Sequence, residues 1–282
     1  MSARVVHDVT GWREAAGCGA LYADMHFHTN CSDSYTDARS LMRLARRRRT
    51  GLAVTDHNLI GTLGRIDLDD PEVMVIPGIE VSTSDGPHIL VYFYEMDELE
   101  EFWEKEIRPR LPPCPWLALR DCTVEGLLDM LEGRSCVTSA AHPMGYLGSD
   151  KGLEACIAKG RIPSGLARRL DAYEVLCSGM TRAGNLAARQ AADRHGLSYT
   201  GGTDGHLLSE LGNVVTVCDA TDRHGFLDAV SGGRSVVIGR EKTVPEKIQT
   251  GSASFSKFVM RAPSSVYTKA TRNTGLAARK RR

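Results

Sequence analysis

The stretch that decides the fold reads Leu21-Tyr22-Ala23-Asp24-Met25-His26-Phe27-His28-Thr29-Asn30-Cys31-Ser32-Asp33. Its first six residues predict a strand, and a His-x-His pair stands where that strand ends. Alternate side chains of a strand point to the same face, so His26 and His28 can point into one site. The sequence therefore predicts a strand that brings two imidazoles to a common point.

Short apolar runs alternate with helical patterns from about residue 20 to residue 239. Strands that alternate with helices are typical of an α/β domain with a mainly parallel sheet. The chain holds about seven such units, which fit a barrel better than an open sheet. We therefore predict a single α/β barrel domain over residues 1–240.

The pattern changes at residue 241, where apolar periodicity decays into Ser, Thr, Lys and Arg. Residues 240–282 hold eleven Lys or Arg against two Glu, which is a net charge of +9. We predict that residues 241–282 form a basic, mobile C-terminal tail outside the barrel. One strand or helix over Phe255–Met260 is the most structure that this segment predicts.

The composition excludes several classes of protein. The chain has 282 residues and a net charge of zero, which excludes the uniform positive field of a dedicated nucleic-acid binder. Its longest apolar run is about seven residues, against the ~20 that cross a bilayer, and its start lacks a secretory signal. The eight cysteines are scattered without a Cys-x-x-Cys pair, which is typical of reduced thiols. We expect a cytoplasmic protein without a membrane segment.

Histidines and carboxylates follow several of the other predicted strands. The segments are Thr55-Asp56-His57, Gly78-Ile79-Glu80, Ala140-Ala141-His142 and Thr203-Asp204-Gly205-His206, and His88 opens a further apolar run. The carboxyl ends of barrel strands meet at one rim, where α/β barrels assemble their active sites. Imidazole and carboxylate together are ligands of Zn, Mn or Fe. The sequence therefore predicts a metal centre at this rim.

A structural role is the alternative for each histidine taken singly. A lone histidine beside an apolar run, as His142 would be, is more often hydrogen-bonded in the core than bound to a metal. His7, His195 and His224 stand in such contexts, and we expect them to be structural. Six of the nine histidines, however, stand at strand ends together with three carboxylates. That joint pattern favours metal ligation.

The ordered set of motifs resembles that of the PHP (polymerase and histidinol phosphatase) family over residues 20–240. The motifs are His26-x-His28-x(4)-Asp33, Thr55-Asp56-His57, Gly78-Ile79-Glu80, a following His88, Ala141-His142-Pro143 and Asp204-x-His206. The resemblance implies a distorted (β/α)7 barrel with two or three divalent metal ions in its cleft, which would be Zn, Mn or Fe. It implies nine ligands, namely His26, His28, Asp33, His57, Glu80, His88, His142, Asp204 and His206.

The resemblance to trinuclear members also implies how these ligands divide among the metals. His26, His28, Glu80 and Asp204 would hold one metal. Glu80 would bridge to a second metal, held with His88 and His142, and the third would be held by Asp33, His57 and His206. Among the nine, we expect Glu80, Asp204 and His206 to act in catalysis.

A cluster of divalent cations suits the hydrolysis of phosphate esters. Two cations about 3.5–4 Å apart can share a bridging water and lower its pKa towards ~7. The same cations neutralise the phosphoryl oxygens in the transition state. We therefore predict a phosphoric ester hydrolase in which a metal-bridging hydroxide attacks a phosphomonoester. Its partner would be a small phosphorylated metabolite.

Arg182 is the candidate for contact with the substrate phosphate. Many relatives read Glu-Val-Tyr-Asn-x-Arg after the sixth strand, whereas this chain reads Glu174-Val175-Leu176-Cys177-Ser178-Gly179-Met180-Thr181-Arg182. We predict that the Arg182 guanidinium binds the phosphate. The alternative is a surface residue that precedes the helical pattern over residues 184–195.

Three other functions stay open. A phosphodiesterase or exonuclease would use the same metals, but the net charge of −9 over residues 1–239 counts against a nucleic-acid partner without excluding it. An amidohydrolase would more naturally show a metal-bridging Lys, and no Lys occurs between residues 1 and 104. A non-catalytic PHP module typically loses ligands, whereas this chain keeps all nine.

Overall fold

The computed structural model describes residues 5–7, 20–257 and 259–260. Its strands are β1 Val5–Val6, β2 Leu21–Phe27, β3 Gly51–Val54, β4 Val75–Ser82, β5 His88–Phe93, β6 Cys136–Ala140, β7 Ala172–Cys177, β8 Ser198–Gly202, β9 Val214–Cys218 and β10 Val236–Gly239. Its helices are α1 Ala38–Arg48, α2 Met96–Phe102, α3 Val124–Leu131, α4 Leu153–Ala158, α5 Arg182–His195, α6 Arg223–Ser231 and α7 over residues 244–257. Short 3₁₀ turns lie at Leu63–Arg65, Arg108–Arg110, Tyr146–Gly148, Ser164–Arg169 and Leu208–Glu210, and a π turn at Trp103–Ile107.

The ten strands form one mixed sheet in the order β1-β10-β9-β2-β3-β4-β5-β6-β7-β8. Strands β2, β3 and β4 are parallel to one another, and so are β6, β7 and β8. Strand β5 runs antiparallel to both of its neighbours. Only residues 83–87 join β4 to β5, and a parallel connection needs a crossover of about a dozen residues or more. The short connection therefore reverses β5 in a sheet that the sequence predicted to be mainly parallel.

The sheet curls so that β8 returns to the side of β2. The backbone N–H of His28 donates to the carbonyl of Gly205 at 2.9 Å, and the N–H of Gly205 donates to the carbonyl of His26 at 3.3 Å. The fully buried carboxylate of Asp24, on β2, accepts from the Thr203 backbone N–H at 2.9 Å and from its hydroxyl at 2.7 Å. Strands β2–β8 thus make a barrel that residues after β8 close, and the predicted distorted (β/α)7 class is confirmed.

Helices pack on the outside of the sheet, and α1 shows how the sequence forms one. The Asp37 side chain accepts from the backbone N–H of Ser40 at 3.0 Å, which satisfies a free donor of the first turn. Leu41 and Leu44 are buried against the sheet, while arginines fill the last turn, where positive charge suits the helix dipole. None of the helices in the described ranges is long and apolar enough to cross a membrane.

The segment after residue 240 is folded as far as the described residues reach. Helix α7 begins after Thr243, whose backbone N–H donates to the Glu246 carboxylate at 2.6 Å in a capping interaction. Lys247 Nζ donates to the Met180 carbonyl at 2.9 Å, so α7 contacts the barrel. The sequence predicted a mobile tail from residue 241; residues 241–257 instead pack on the barrel, and residues 261–282 lie outside the described ranges.

The close approach of β8 to β2 gives a stability prediction. A Cβ added at Gly202 would lie 2.5 Å from the Cβ of His26, so we expect Gly202→Ala to lower the free energy of unfolding by about 1–3 kcal/mol. Denaturant unfolding measures the change. Gly165→Ala is the matched control, because nothing lies within 4 Å of a Cβ added there, and it should stay within about 0.5 kcal/mol of the parent. Equal stability of the two variants would contradict this account of barrel closure.

Candidate metal centre

The nine predicted ligands lie at one rim of the barrel. His26 lies within β2 and Glu80 within β4. Six further ligands lie in the loops that follow β2, β3, β6 and β8, namely His28, Asp33, His57, His142, Asp204 and His206. His88 is the first residue of β5, and because β5 runs antiparallel, its first residue stands at the same rim as the carboxyl ends of its neighbours. The reversed strand therefore still adds its side chain to the site that the sequence predicted.

The Glu80 carboxylate is the centre of the cluster. It is fully buried, and five imidazoles lie within 3.5 Å of its oxygens. The distances are 2.7 Å to His57 Nδ1, 3.0 Å to His88 Nδ1, 3.3 Å to both His142 Nε2 and His28 Nε2, and 3.5 Å to His26 Nε2. Each of these rings offers a nitrogen to the same small volume.

Three sets of side chains have ligand atoms that all lie within 4.8 Å of one another. They are His28 with Asp33, His57 and His206; His26 with His28 and Asp204; and His57 with Glu80 and His88. His28 and His57 each take part in two sets. The division among metals that the resemblance implies gives His57 to one metal only, whereas here it also adjoins Glu80.

The polar atoms of the site fit divalent cations. Buried Asp33 Oδ1 has no hydrogen-bond partner among the described residues, and the neighbours of buried Glu80 Oε2 are the imidazole nitrogens of His57 and His28. His26 Nε2 and His28 Nε2 face each other at 3.1 Å, where two imidazole nitrogens compete for at most one proton. Buried carboxylates and imidazoles that converge in this way are the ligand types that bind Zn, Mn or Fe.

Two effects set the charges of the site: burial disfavours the charged form of each side chain, and attraction between carboxylates and imidazoles favours it. Burial by itself would raise the pKa of Glu80, but the imidazoles of His57, His88 and His26 lower it well below its usual value. Burial lowers the pKa of His88 to about 3, so that imidazole is neutral and free to bind a cation. Burial also disfavours the charged form of His26, yet Glu174, Asp204 and Glu80 raise its pKa well above 6.5. A cation that binds His26 must therefore displace a proton.

A second layer of buried carboxylates orients the first. Glu174, on β7, places Oε1 at 3.0 Å from His26 Nδ1, and its Oε2 accepts from the backbone N–H of His142 at 2.7 Å. This contact directs His26 Nε2 into the site, as a carboxylate behind a metal-ligating histidine does. Asp56 accepts from the Thr29 backbone N–H at 2.7 Å and from the Ser32 hydroxyl at 2.5 Å, which fixes the loop that carries Asp33.

Sequence reasoning missed these supporting roles. Glu174 and Asp56 stand within the motifs, but the motifs assign them no function. The available signal is their position, because an acidic residue within or directly after a buried strand needs a partner. Tyr146, whose hydroxyl donates to Asp204 and lies 3.5 Å from Cys177 Sγ, carries no such signal.

Two of the predicted ligands adopt a backbone conformation that is rare for their residue types. His142 has φ of 30° and Asp204 has φ of 46°, both in the left-handed region. Such residues cost on the order of 1–3 kcal/mol each and persist where their surroundings fix them. Glu174 fixes the N–H of His142, and the carbonyl of Asp204 accepts from Lys242 Nζ at 3.2 Å.

A cavity of about 600 Å³ opens over the ligands. Its wall includes six of the nine predicted ligands, which are Asp33, His57, His88, His142, Asp204 and His206. Lys151, Lys242 and Lys247 add positive charge to the wall, and Met144, Tyr146, Leu147 and Met180 add apolar surface. Anionic and apolar parts of one ligand could both be bound here.

Arg182 is the one predicted site residue that lies away from this cluster. Its guanidinium makes two 2.8 Å hydrogen bonds to the Glu241 carboxylate, and its side chain is 57% exposed. It is absent from the described cavity wall. Its assignment to phosphate binding stays a prediction.

The three histidines that were expected to be structural also lie outside the cluster. His195 Nε2 lies 2.9 Å from Glu154, and His224 Nε2 lies 2.8 Å from Glu95. His7 Nδ1 lies 3.7 Å from Glu241. Each of them thus has a carboxylate neighbour away from the metal-ligand sets.

Comparisons with known proteins agree with this fold. The model of the PHP-associated family matches residues 182–235. PsfC from Pseudomonas syringae PB-5123 has a similar structure, with a TM-score of 0.58 and 17% identity over 86% of this chain and 100% of that one. A two-domain protein from Bacteroides vulgatus that contains a predicted PHP-like metal-dependent phosphoesterase gives a TM-score of 0.55 and 14% identity, over 84% of this chain and 70% of that one.

A nuclease also has a similar structure. The lesion-specific endonuclease PfuEndoQ from Pyrococcus furiosus gives a TM-score of 0.58 and 16% identity, over 77% of this chain and 57% of that one. No curated protein matches the chain at a significant level. The fold is thus that of PHP-like proteins, and, together with the PHP-associated match, it confirms the predicted resemblance to the PHP family.

The contacts of Glu174 give a prediction on metal affinity. In Glu174→Gln, the amide cannot accept from the His142 N–H and also satisfy His26 as both carboxylate oxygens do. We expect the affinity for the first metal equivalent to fall about 10–100-fold, as measured by titration against a chromophoric chelator. Glu154→Gln is the control, because Glu154 makes the matching contact to His195 outside the site. Equal metal affinity in the two variants would remove Glu174 from the supporting layer.

Proposed function

We propose that the protein is a metal-dependent phosphoesterase that hydrolyses a small phosphomonoester. The observation that carries this proposal is the convergence of five imidazoles on the buried Glu80 carboxylate at the rim of a PHP-like barrel. Burying so many polar groups together costs free energy unless they bind a cation. We therefore assign the three ligand sets to two or three divalent cations.

The residues of the chain take distinct parts in this reaction. Divalent cations bound here would supply a nucleophile from water at neutral pH and neutralise phosphoryl oxygens. Glu80 belongs to the set with His57 and His88 and also adjoins His26 and His28 of the other sets, so its negative charge would offset that of cations held by these residues. Asp204 and His206, which follow β8 at the cavity wall, face the space where the phosphoryl group would react.

The cavity wall favours a small substrate with an anionic end. Its volume of about 600 Å³ lies within the range of about 300–1,000 Å³ that is typical of small-molecule sites. Lys151 is exposed at the wall, where its ammonium group can bind phosphate oxygens as a point charge. Met144, Tyr146 and Met180 would contact the organic part of the ester.

A phosphodiesterase or exonuclease is the second candidate. It is favoured by the similar fold of endonuclease Q, another structure of which holds a 27-mer duplex substrate with an abasic lesion at the active site. The same ligand sets would serve either reaction. We place the monoester first because the cavity has the volume of a small-molecule site.

A substrate panel separates the two candidates. Protein loaded with Mn, Fe or Zn is incubated with phosphorylated metabolites and with short oligonucleotides. We expect release of inorganic phosphate from monoesters. Release of mononucleotides from the oligonucleotides, without release of phosphate from monoesters, would favour the second candidate. Inactivity on both sets with full metal occupancy would contradict the phosphoesterase proposal.

The position of Glu80 gives a quantitative test. Glu80→Gln keeps the shape but removes a charge that five imidazoles adjoin. Because those imidazoles include members of all three ligand sets, this variant should lose more metal equivalents than Asp33→Asn, whose carboxylate belongs to one set. We expect kcat of Glu80→Gln to fall at least ~10³-fold, or about 4 kcal/mol of transition-state stabilisation. Metal analysis and phosphatase assays on both folded variants measure this. Full metal content with near-normal turnover in Glu80→Gln would overturn the bridging assignment.

A further inference from the structure

Helix α7 turns one of its faces to the cavity over the metal ligands. Lys247, Thr250, Gly251 and Ser254 line that cavity. Their spacing of three, four and seven residues places them on one face of a helix. Val244, Ile248 and Phe255, by contrast, are exposed. The helix therefore forms a wall of the cavity with a defined inner face.

The inner face of α7 reaches a predicted metal ligand directly. Ser254 Oγ donates to Asp33 Oδ2 at 2.6 Å, and His206 Nε2 lies 3.0 Å from the same oxygen. The other oxygen, Asp33 Oδ1, is buried without a hydrogen-bond partner among the described residues. It lies 3.9 Å from His28 Nδ1. Ser254 thus bonds the oxygen that adjoins His206 and His57, and this bond fixes the orientation of the whole carboxylate within its ligand set.

Contacts at both ends fix α7 to the barrel. Before its first turn, the buried Lys242 Nζ lies 3.1 Å from Glu210, and it also donates to the Asp204 carbonyl. Towards its end, Lys257 Nζ donates to the carbonyls of Asn30 and Ser34, in the loop that carries Asp33. These bonds connect α7 to the residues on either side of the site.

We propose that α7 is an integral part of the active site. Ser254 is a positioning residue that orients Asp33 for metal binding, and the small residues Thr250 and Gly251 set the space that is left for the organic part of the substrate. The second statement rests on the proposed phosphomonoesterase function, whereas the first concerns metal binding alone. Removal of the Ser254 hydroxyl should therefore weaken metal binding whichever reaction the protein catalyses.

Metal binding by two serine variants of the same helix tests the first statement. Ser256 is the matched control, because its hydroxyl donates to Ala253 and lies 2.9 Å from the Tyr35 hydroxyl, away from the ligands. In titrations of the full chain with Mn²⁺ or Zn²⁺, we expect Ser254→Ala to weaken one metal equivalent about tenfold or more. Ser256→Ala should bind as the parent does, and Ser254→Thr, which keeps a hydroxyl, should restore most of the affinity. Equal affinity of Ser254→Ala and Ser256→Ala would overturn the positioning role.

A glycine replacement tests the second statement. Nothing lies within 4 Å of a Cβ added at Gly251, so Gly251→Leu should fold and extend into the cavity. We expect its KM for 4-methylumbelliferyl phosphate to rise at least tenfold relative to its KM for phosphoglycerol, with metal content unchanged. Gly64→Leu, at a turn with the same open space, should leave both KM values unchanged.

The outcomes separate this inference from the proposed function. An unchanged KM ratio in Gly251→Leu, with activity on both esters, would overturn the role of α7 in substrate size. A parent protein without activity on either ester would overturn the proposed function, and the metal titrations of Ser254→Ala would still decide the positioning role.

Discussion

The site depends on one buried carboxylate that is surrounded by imidazoles. Glu80 is fully buried, and removing a carboxylate from water is costly unless opposite charge or hydrogen bonds compensate it. Here the compensation comes from rings on several strands, and the nearest nitrogen is His57 Nδ1 at 2.7 Å. The barrel must bring these strands to one rim, so the closure between β8 and β2 and the reversed direction of β5 are both conditions for the cluster.

A second constraint is that the ligands are not oriented by their own strands alone. Glu174 orients His26 from β7, and Asp56 fixes the loop of Asp33 through the Thr29 N–H and the Ser32 hydroxyl. Buried carboxylates of this kind are expensive, and their cost is offset only while every bond is made. The rim is therefore a connected network, in which the strained backbone at His142 is stabilised by the same Glu174 that orients His26.

Helix α7, near the end of the described residues, also contributes to the site. The similar folds found in PsfC and in an endonuclease show that one barrel architecture accompanies different proteins. Function is decided by what surrounds the rim. In this protein α7 and the loop of Tyr146 line a cavity of about 600 Å³ with lysines and apolar residues in its wall.

The sequence by itself determined the barrel class, because strand and helix patterns alternate along it, and the resemblance of its motifs to the PHP family supplied the nine candidate ligands. It also contained the start of α7, since Thr243-x-x-Glu246 is a helix-capping pattern, although the basic composition of the segment pointed to a mobile tail. The tertiary structure alone decided which residues support the ligands. His26 and Glu174 are 148 positions apart, and Asp33 and Ser254 are 221 apart. Local periodicity carries no information on such pairs, because their hydrogen bonds exist only once the strands and α7 have packed around one rim.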